Sequence, residues 1–235
     1  MKRSRILTWI LTLLAVGATL VLGSRLRGRW FYLTSTLIVI ELMVPFFLSF
    51  ERRRPQAREL VTLAVMAAIA AVSRVAFGFV PHFSPITGVI MITGIAFGAE
   101  AGFLTGAVAA FASNLYFGQG AYTPWQMMAY GFGGFLAGLL FYRRPKRQHP
   151  VVMGVFGYLT IQLIVGPLLD TSSVFLAAPA LKWATIWPYY VSGIPVNAIH
   201  GLGAGLTLLL AGRPMLGKLR RLQIKYGMME ADDGV

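Results

Sequence analysis

Few side chains in this chain could do chemistry, and none gather as a catalytic set would. His82, His149 and His200 are never at metal-ligand spacing, and no carboxylate stands beside them to orient an imidazole. There is no cysteine, so thiolate ligands, thiol nucleophiles and disulfides are excluded. GxxxxGK[ST], HExxH and GxSxG are absent, which leaves P-loop ATP binding, zinc proteolysis and esterase chemistry without machinery. No catalytic residue and no metal ligand is therefore assigned. What remains is binding. Arg74 and Glu41 each stand inside a long apolar run. Arg74 could reach outward to an interface, bind an anionic ligand group, or pair with Glu41. His82, Asn114, Gln119 and Gln126, with Tyr122 and Trp125, lie near the ends of apolar runs, where uncharged hydrogen-bonding groups suit an uncharged polar ligand. Asn197 and His200 share a helix face below the Gly193-Ile-Pro195 break, either as an interhelical hydrogen bond or as ligand contacts.

The elements that must carry these residues follow from composition. Of 235 residues 57% are hydrophobic and only 12% charged, about half the charge density of a soluble domain. A chain of this kind is an integral membrane protein with the lipid bilayer as its partner. About 20 apolar residues cross a bilayer as a helix. Runs of that kind are Ile6–Gly23, Trp30–Phe50, Glu59–Val80, Trp125–Tyr142, Val151–Leu169 and Trp187–Ala211, together with a 32-residue stretch from Ile86 to Phe117. The first run resembles a signal peptide, but no A-x-A-like site follows and Arg25, Arg27 and Arg29 come at once, so a retained span is expected.

The long stretch is one helix or two. As one it would be about 48 Å long, too long without strong tilt. Two helices, Ile86–Ala99 and Ala101–Phe117, make eight spans with both termini cytoplasmic. Sixteen of the 21 basic residues then fall inside, in the segments around Lys2–Arg5, Arg52–Arg58, Arg143–Arg147 and Arg213–Lys225. A single helix flips the parity and leaves a best split of eight against twelve. The positive-inside rule selects two helices. The net charge of +13 is thus a topology signal, and no nucleic acid is expected as a partner. The expected organisation is an all-α membrane protein with a two-span hairpin and basic linker over 1–58, a six-span body over 59–211, and a basic cytoplasmic tail over 212–235.

Small residues recur at packing spacing. Gly94, Gly98, Gly102 and Gly106 repeat every four residues, as do Gly134/Gly138 and Gly201/Gly205, which lets helix backbones approach closely. Ala64, Ala67, Ala68 and Ala71 form overlapping AxxxA pairs on the third span, either as bundle packing or as a groove for a partner helix. The outer connections of the body, Pro81–Pro85, Gly118–Pro124 and Asp170–Lys182, are nearly uncharged and rich in aromatics, amides and hydroxyls. An interfacial aromatic belt accounts for Trp183 and Trp187 but poorly for the amides.

The stretch Glu59–Tyr142 resembles the membrane-embedded S components of energy-coupling factor (ECF) vitamin transporters, most specifically in Phe117–Met127, FGQGAYTPWQM. The resemblance implies a six-helix substrate-binding subunit in the plasma membrane, with a site near the outer face. It implies no cofactor of its own and no enzyme activity. ATP would be used only by two ATPase partners that drive a transmembrane coupling subunit, docked through the small residues Ala64, Ala67, Ala68 and Ala71. The expected ligand contacts are Arg74, His82, Asn114, Gln119, Tyr122, Trp125 and Gln126. The motif is nearest to cobalamin-type S components, which implies a corrinoid. The two N-terminal spans depart from the six-helix pattern. The alternatives are a non-transporting membrane scaffold or assembly subunit, or an S component for another vitamin or precursor.

Overall fold

A computed structural model describes residues 2–25, 31–178 and 181–228. Arg27 and Arg29 of the first link, residues 179–180 of the Asp170–Lys182 connection and residues 229–235 of the tail lie outside the described residues. Within them the chain is helical throughout: α1 (Lys2–Arg25), α2 (Phe31–Glu51), α3 (Ala57–Ala76), α4 (Ile86–Phe97), α5 (Ala99–Phe117), α6 (Thr123–Phe141), α7 (Pro150–Thr160), α8 (Gly166–Ala177) and α9 (Trp183–Tyr226). A π-turn, Ile161–Val165, fuses α7 and α8 into one 28-residue rod. Among the described residues four rods are long and apolar enough to cross a membrane, namely Tyr32–Glu51, Ala57–Ala76, Pro150–Ala177 and Trp183–Tyr226.

The 32-residue stretch divides at Gly98, whose φ of 99° is open to glycine and strained for any other residue. All twelve residues of α4 are buried. At about 18 Å this helix is shorter than the hydrocarbon layer, and its burial shows why that is tolerated: α4 lines the core instead of facing lipid. The glycine spacing brings α5 against α6. A Cβ on Gly106 would lie 2.6 Å from Gly131 N, and one on Gly138 would lie 2.5 Å from Ala99 N. Nothing larger than hydrogen fits at this crossing, which gains dispersion contact between backbones.

The N-terminal hairpin packs through α2. Phe46 stacks on Phe103 at 4.1 Å and meets Phe135 edge-on at 5.1 Å. Trp9 of α1 meets Phe46 edge-on at 5.7 Å. Glu41 accepts a hydrogen bond from Thr19 Oγ1 at 2.6 Å, which ties α1 to α2 and leaves Arg74 to other partners.

The chain also differs from expectation at its end. α9 runs 44 residues without a break, through the expected boundary at Ala211 and on to Tyr226. Leu216 and Leu219 are buried, Gln223 Nε2 donates to Ala96 O at 2.9 Å, and Arg58 Nη2 donates to Gly227 O at 3.4 Å. Lysine and arginine are good helix formers, so the charge that ends a span does not end the helix. The bundle therefore has a basic end, carrying Arg52–Arg54, Arg143–Arg147 and Arg213–Lys225, and a neutral end with the 77–85 and 118–122 connections.

Candidate functional site

At the neutral end α3, α5 and α6 converge on one arginine. Arg74 lies in the last turn of α3, and its Nη1 donates to Ser113 Oγ at 2.7 Å and to Asn114 Oδ1 at 2.8 Å. Its guanidinium sits 4.6 Å from the centroid of the Phe117 ring, a cation–π geometry. Asn114 is wholly buried and completes its hydrogen bonds through Nδ2, to Gln126 Oε1 at 2.7 Å and Thr123 Oγ1 at 3.2 Å. Thr123 Oγ1 in turn donates to Gln119 Oε1 at 2.9 Å and accepts from Gly120 N at 3.1 Å. Among the described residues Arg74 has no carboxylate partner. Neutral acceptors thus hold the cation in place without cancelling its charge.

Beside Arg74 opens a cavity of about 230 Å³. Its polar lining is Arg74, His82, Ser84, Tyr130 and His200, and Phe83 and Phe117 supply aromatic walls. His82 stands in the α3–α4 turn with φ of 61°, a left-handed conformation that histidine adopts more readily than bulkier residues. His200 is buried on α9 and shares a 2.7 Å hydrogen bond with Thr87 Oγ1. Its ring also meets Tyr130 edge-on at 5.8 Å. His200 thus makes the interhelical hydrogen bond and also lines the cavity. Asn197 instead donates to Asp170 Oδ2 at 2.8 Å, between α8 and α9.

The seven residues expected at the site separate into three pairs and one outlier. Arg74 and His82 line the cavity. Asn114 and Gln126 stand behind Arg74 and position it. Gln119 and Tyr122 close the connecting loop, through Gln119 Nε2 to Phe111 O at 2.9 Å and Tyr122 OH to Gly118 O at 2.6 Å. Trp125 points elsewhere. It stacks on Phe175 of α8 at 5.7 Å, within the cluster that includes Phe46 and Phe103. Sequence reasoning missed Tyr130, Phe83 and Phe117 as lining residues. Tyr130 lies four residues after Gln126 on the same helix face, a signal open to periodicity.

The alanines of α3 also divide. Ala67 and Ala71 are buried within the bundle, whereas Ala64 and Ala68 are exposed with Val61, Val65 and Val72. A partner helix could reach only the second pair.

A cation, two imidazoles, a phenol and a hydroxyl around a small cavity can bind a polar aromatic molecule, and among the described residues no nucleophile is paired with a base there. The profile of the family described as ECF-type riboflavin transporter, S component, matches residues 55–213, two thirds of the chain. The chain belongs to this family. As an S component it is a substrate-binding subunit of an ECF transporter and not an enzyme. S components sit in the plasma membrane, bind a small vitamin and work with a membrane coupling subunit and ATPases. The match begins at α3, so the α1–α2 hairpin lies outside it. No curated protein and no solved structure matches the chain.

Proposed function

We propose that this S component captures riboflavin or a closely related flavin from outside the cell, in the cavity beside Arg74. The observation that carries the reading is the cavity itself. At about 230 Å³ it falls just below the roughly 300–1,000 Å³ of ordinary small-molecule pockets. A tricyclic ring system suits that size, with its faces against Phe83 and Phe117 and its carbonyls toward Arg74 and the imidazoles. A corrinoid, expected from the Phe117–Met127 motif, is several times larger, and the riboflavin family description favours the smaller ligand. The positive-inside distribution supports eight spans with both termini cytoplasmic, which turns the neutral end outward. In this reading the exposed Ala64/Ala68 stripe docks on the coupling subunit. The loaded body then tilts inward, and ATP hydrolysis in the partners resets it.

The test is purification of the full chain in detergent. The preparation should be yellow, and its released ligand should have the mass and fluorescence of a flavin. Stripped protein should quench added riboflavin saturably. A red preparation carrying a corrinoid, or no saturable response to riboflavin, would overturn the assignment.

A further inference from the structure

The basic end carries a second cleft, of about 370 Å³, on the far side of the molecule from the flavin cavity. It lies between the end of α4, the turn after α6 and the last turns of α9. Its cations are Arg143 and Arg220, and no acidic residue lines it. Arg220 is braced: Nη2 donates to Gln148 Oε1, while Gln148 Nε2 donates to Phe141 O at 2.8 Å. Gln223 is likewise anchored on Ala96 O. Arg143 follows α6 with φ of 55°, and its guanidinium sits 5.3 Å from the Tyr142 ring centroid. Among the described residues it makes no hydrogen bond or ion pair. A fixed guanidinium and an uncommitted one, facing a common space, match the oxygens of a phosphate.

We infer that this cleft holds the headgroup of one anionic phospholipid. The shared chemistry is a phosphate oxyanion between two guanidiniums, and the apolar wall decides the source. Ile95 and Ile224 line the same cleft, and Ile224 is 82% exposed. An apolar side chain left open beside a phosphate site suits a glycerol backbone and acyl chain better than a free ion or an acidic peptide. Basic clefts between helices on the cytoplasmic side bind headgroups in this way. The position follows from the same charge distribution that orients the chain. It does not depend on the identity of the vitamin.

The experiment uses the full chain in nanodiscs of phosphatidylcholine alone or of phosphatidylcholine with phosphatidylglycerol, followed by native mass spectrometry. The wild type should retain one phosphatidylglycerol in preference to phosphatidylcholine. R143Q should weaken retention about fivefold, and R143Q/R220Q about fivefold further. The charge-matched R213Q/K218Q, whose residues are exposed and outside the cleft, should retain lipid as the wild type does. Riboflavin binding and melting temperature should be unchanged in R143Q, which removes no internal hydrogen bond and so keeps the test valid if R220Q misfolds. Equal loss in R213Q/K218Q would reduce the effect to bulk charge and overturn the site. Displacement of the lipid by inorganic phosphate would make the ligand a free ion. Unchanged lipid retention in R143Q/R220Q, with loss of assembly onto the coupling subunit, would make the cleft a protein contact.

Discussion

Replacing Asn114 with alanine separates the positioning of Arg74 from the contact that Arg74 makes. Asn114 is wholly buried and makes three hydrogen bonds, to Arg74, Thr123 and Gln126. In a soluble core each would contribute about 0.5–1.5 kcal/mol, and more for the charged partner. Between membrane helices the measured average is nearer 0.6 kcal/mol, because the unfolded chain in lipid also finds partners. Three such bonds amount to about 2 kcal/mol of stability. Arg74 keeps Ser113 as its second anchor, so about half of this should reach the ligand, or roughly fivefold in Kd. Arg74→Ala removes the cation itself, and a charged hydrogen bond of about 1.5–3 kcal/mol corresponds to at least tenfold. Riboflavin fluorescence quenching by purified variants reads both. If Asn114 acts through Arg74, the double variant binds no more weakly than Arg74→Ala alone. Asn114→Asp, which sets a carboxylate against Arg74 and removes the donor to Gln126 and Thr123, binds more weakly than the wild type, and Asn114→Leu binds as the alanine variant does. Additive losses would show that Asn114 does not work through Arg74. Unchanged Kd in both single variants would show that the cavity is not the site.

Four further outcomes are expected. Ala64→Leu and Ala68→Leu together should abolish riboflavin uptake in cells while purified protein still binds riboflavin, and Ala67→Leu should instead lower the melting temperature, as overpacking costs about 1–3 kcal/mol. Gly102→Ala should fold poorly, because its Cβ would lie 2.7 Å from the Gly134 carbonyl carbon and 2.8 Å from Gly94 Cα, and backbone on both sides cannot yield. Gly17→Ala, with nothing within 4 Å, should leave the melting temperature unchanged or slightly raised.

How much of this was legible in the sequence depends on whether a feature is local. The division at Gly98 was legible because charge in the flanking segments counts membrane crossings without any tertiary information. The course of α9 beyond Ala211 was not, because basic residues end a hydrophobic run while favouring continued helix. The alanine stripe was visible, but which half is buried depends on α4 and α5, which pack against α3 from elsewhere in the chain. The motif Phe117–Met127 was recognisable as a unit, yet its residues do different work. Gln126 and Trp125 are adjacent, and one helical step of about 100° sends one toward Arg74 and the other toward Phe175. His200 lies more than seventy residues beyond the motif yet reaches the same cavity from α9, and no spacing rule connects them.

The placement of the two intramembrane charges bears on how such a site can stay ready for ligand. A guanidinium within hydrocarbon needs partners, and the simplest partner is a carboxylate. Had Glu41 reached Arg74, the pair would be neutral and mutually satisfied, and a ligand would have to break it. Glu41 is instead held by Thr19 within the hairpin, which lies outside the family match. Arg74 is held by a hydroxyl and an amide, backed by Thr123, Gln126 and Gln119. Such neutral acceptors fix the geometry of the cation while leaving its charge for the ligand to meet. They also explain why the FGQGAYTPWQM segment is dense in amides and hydroxyls although only Phe117 of its side chains lines the cavity. In the proposed reading the amides and hydroxyls of the segment orient Arg74, and a substitution at Gln126 should alter affinity without removing a ligand contact.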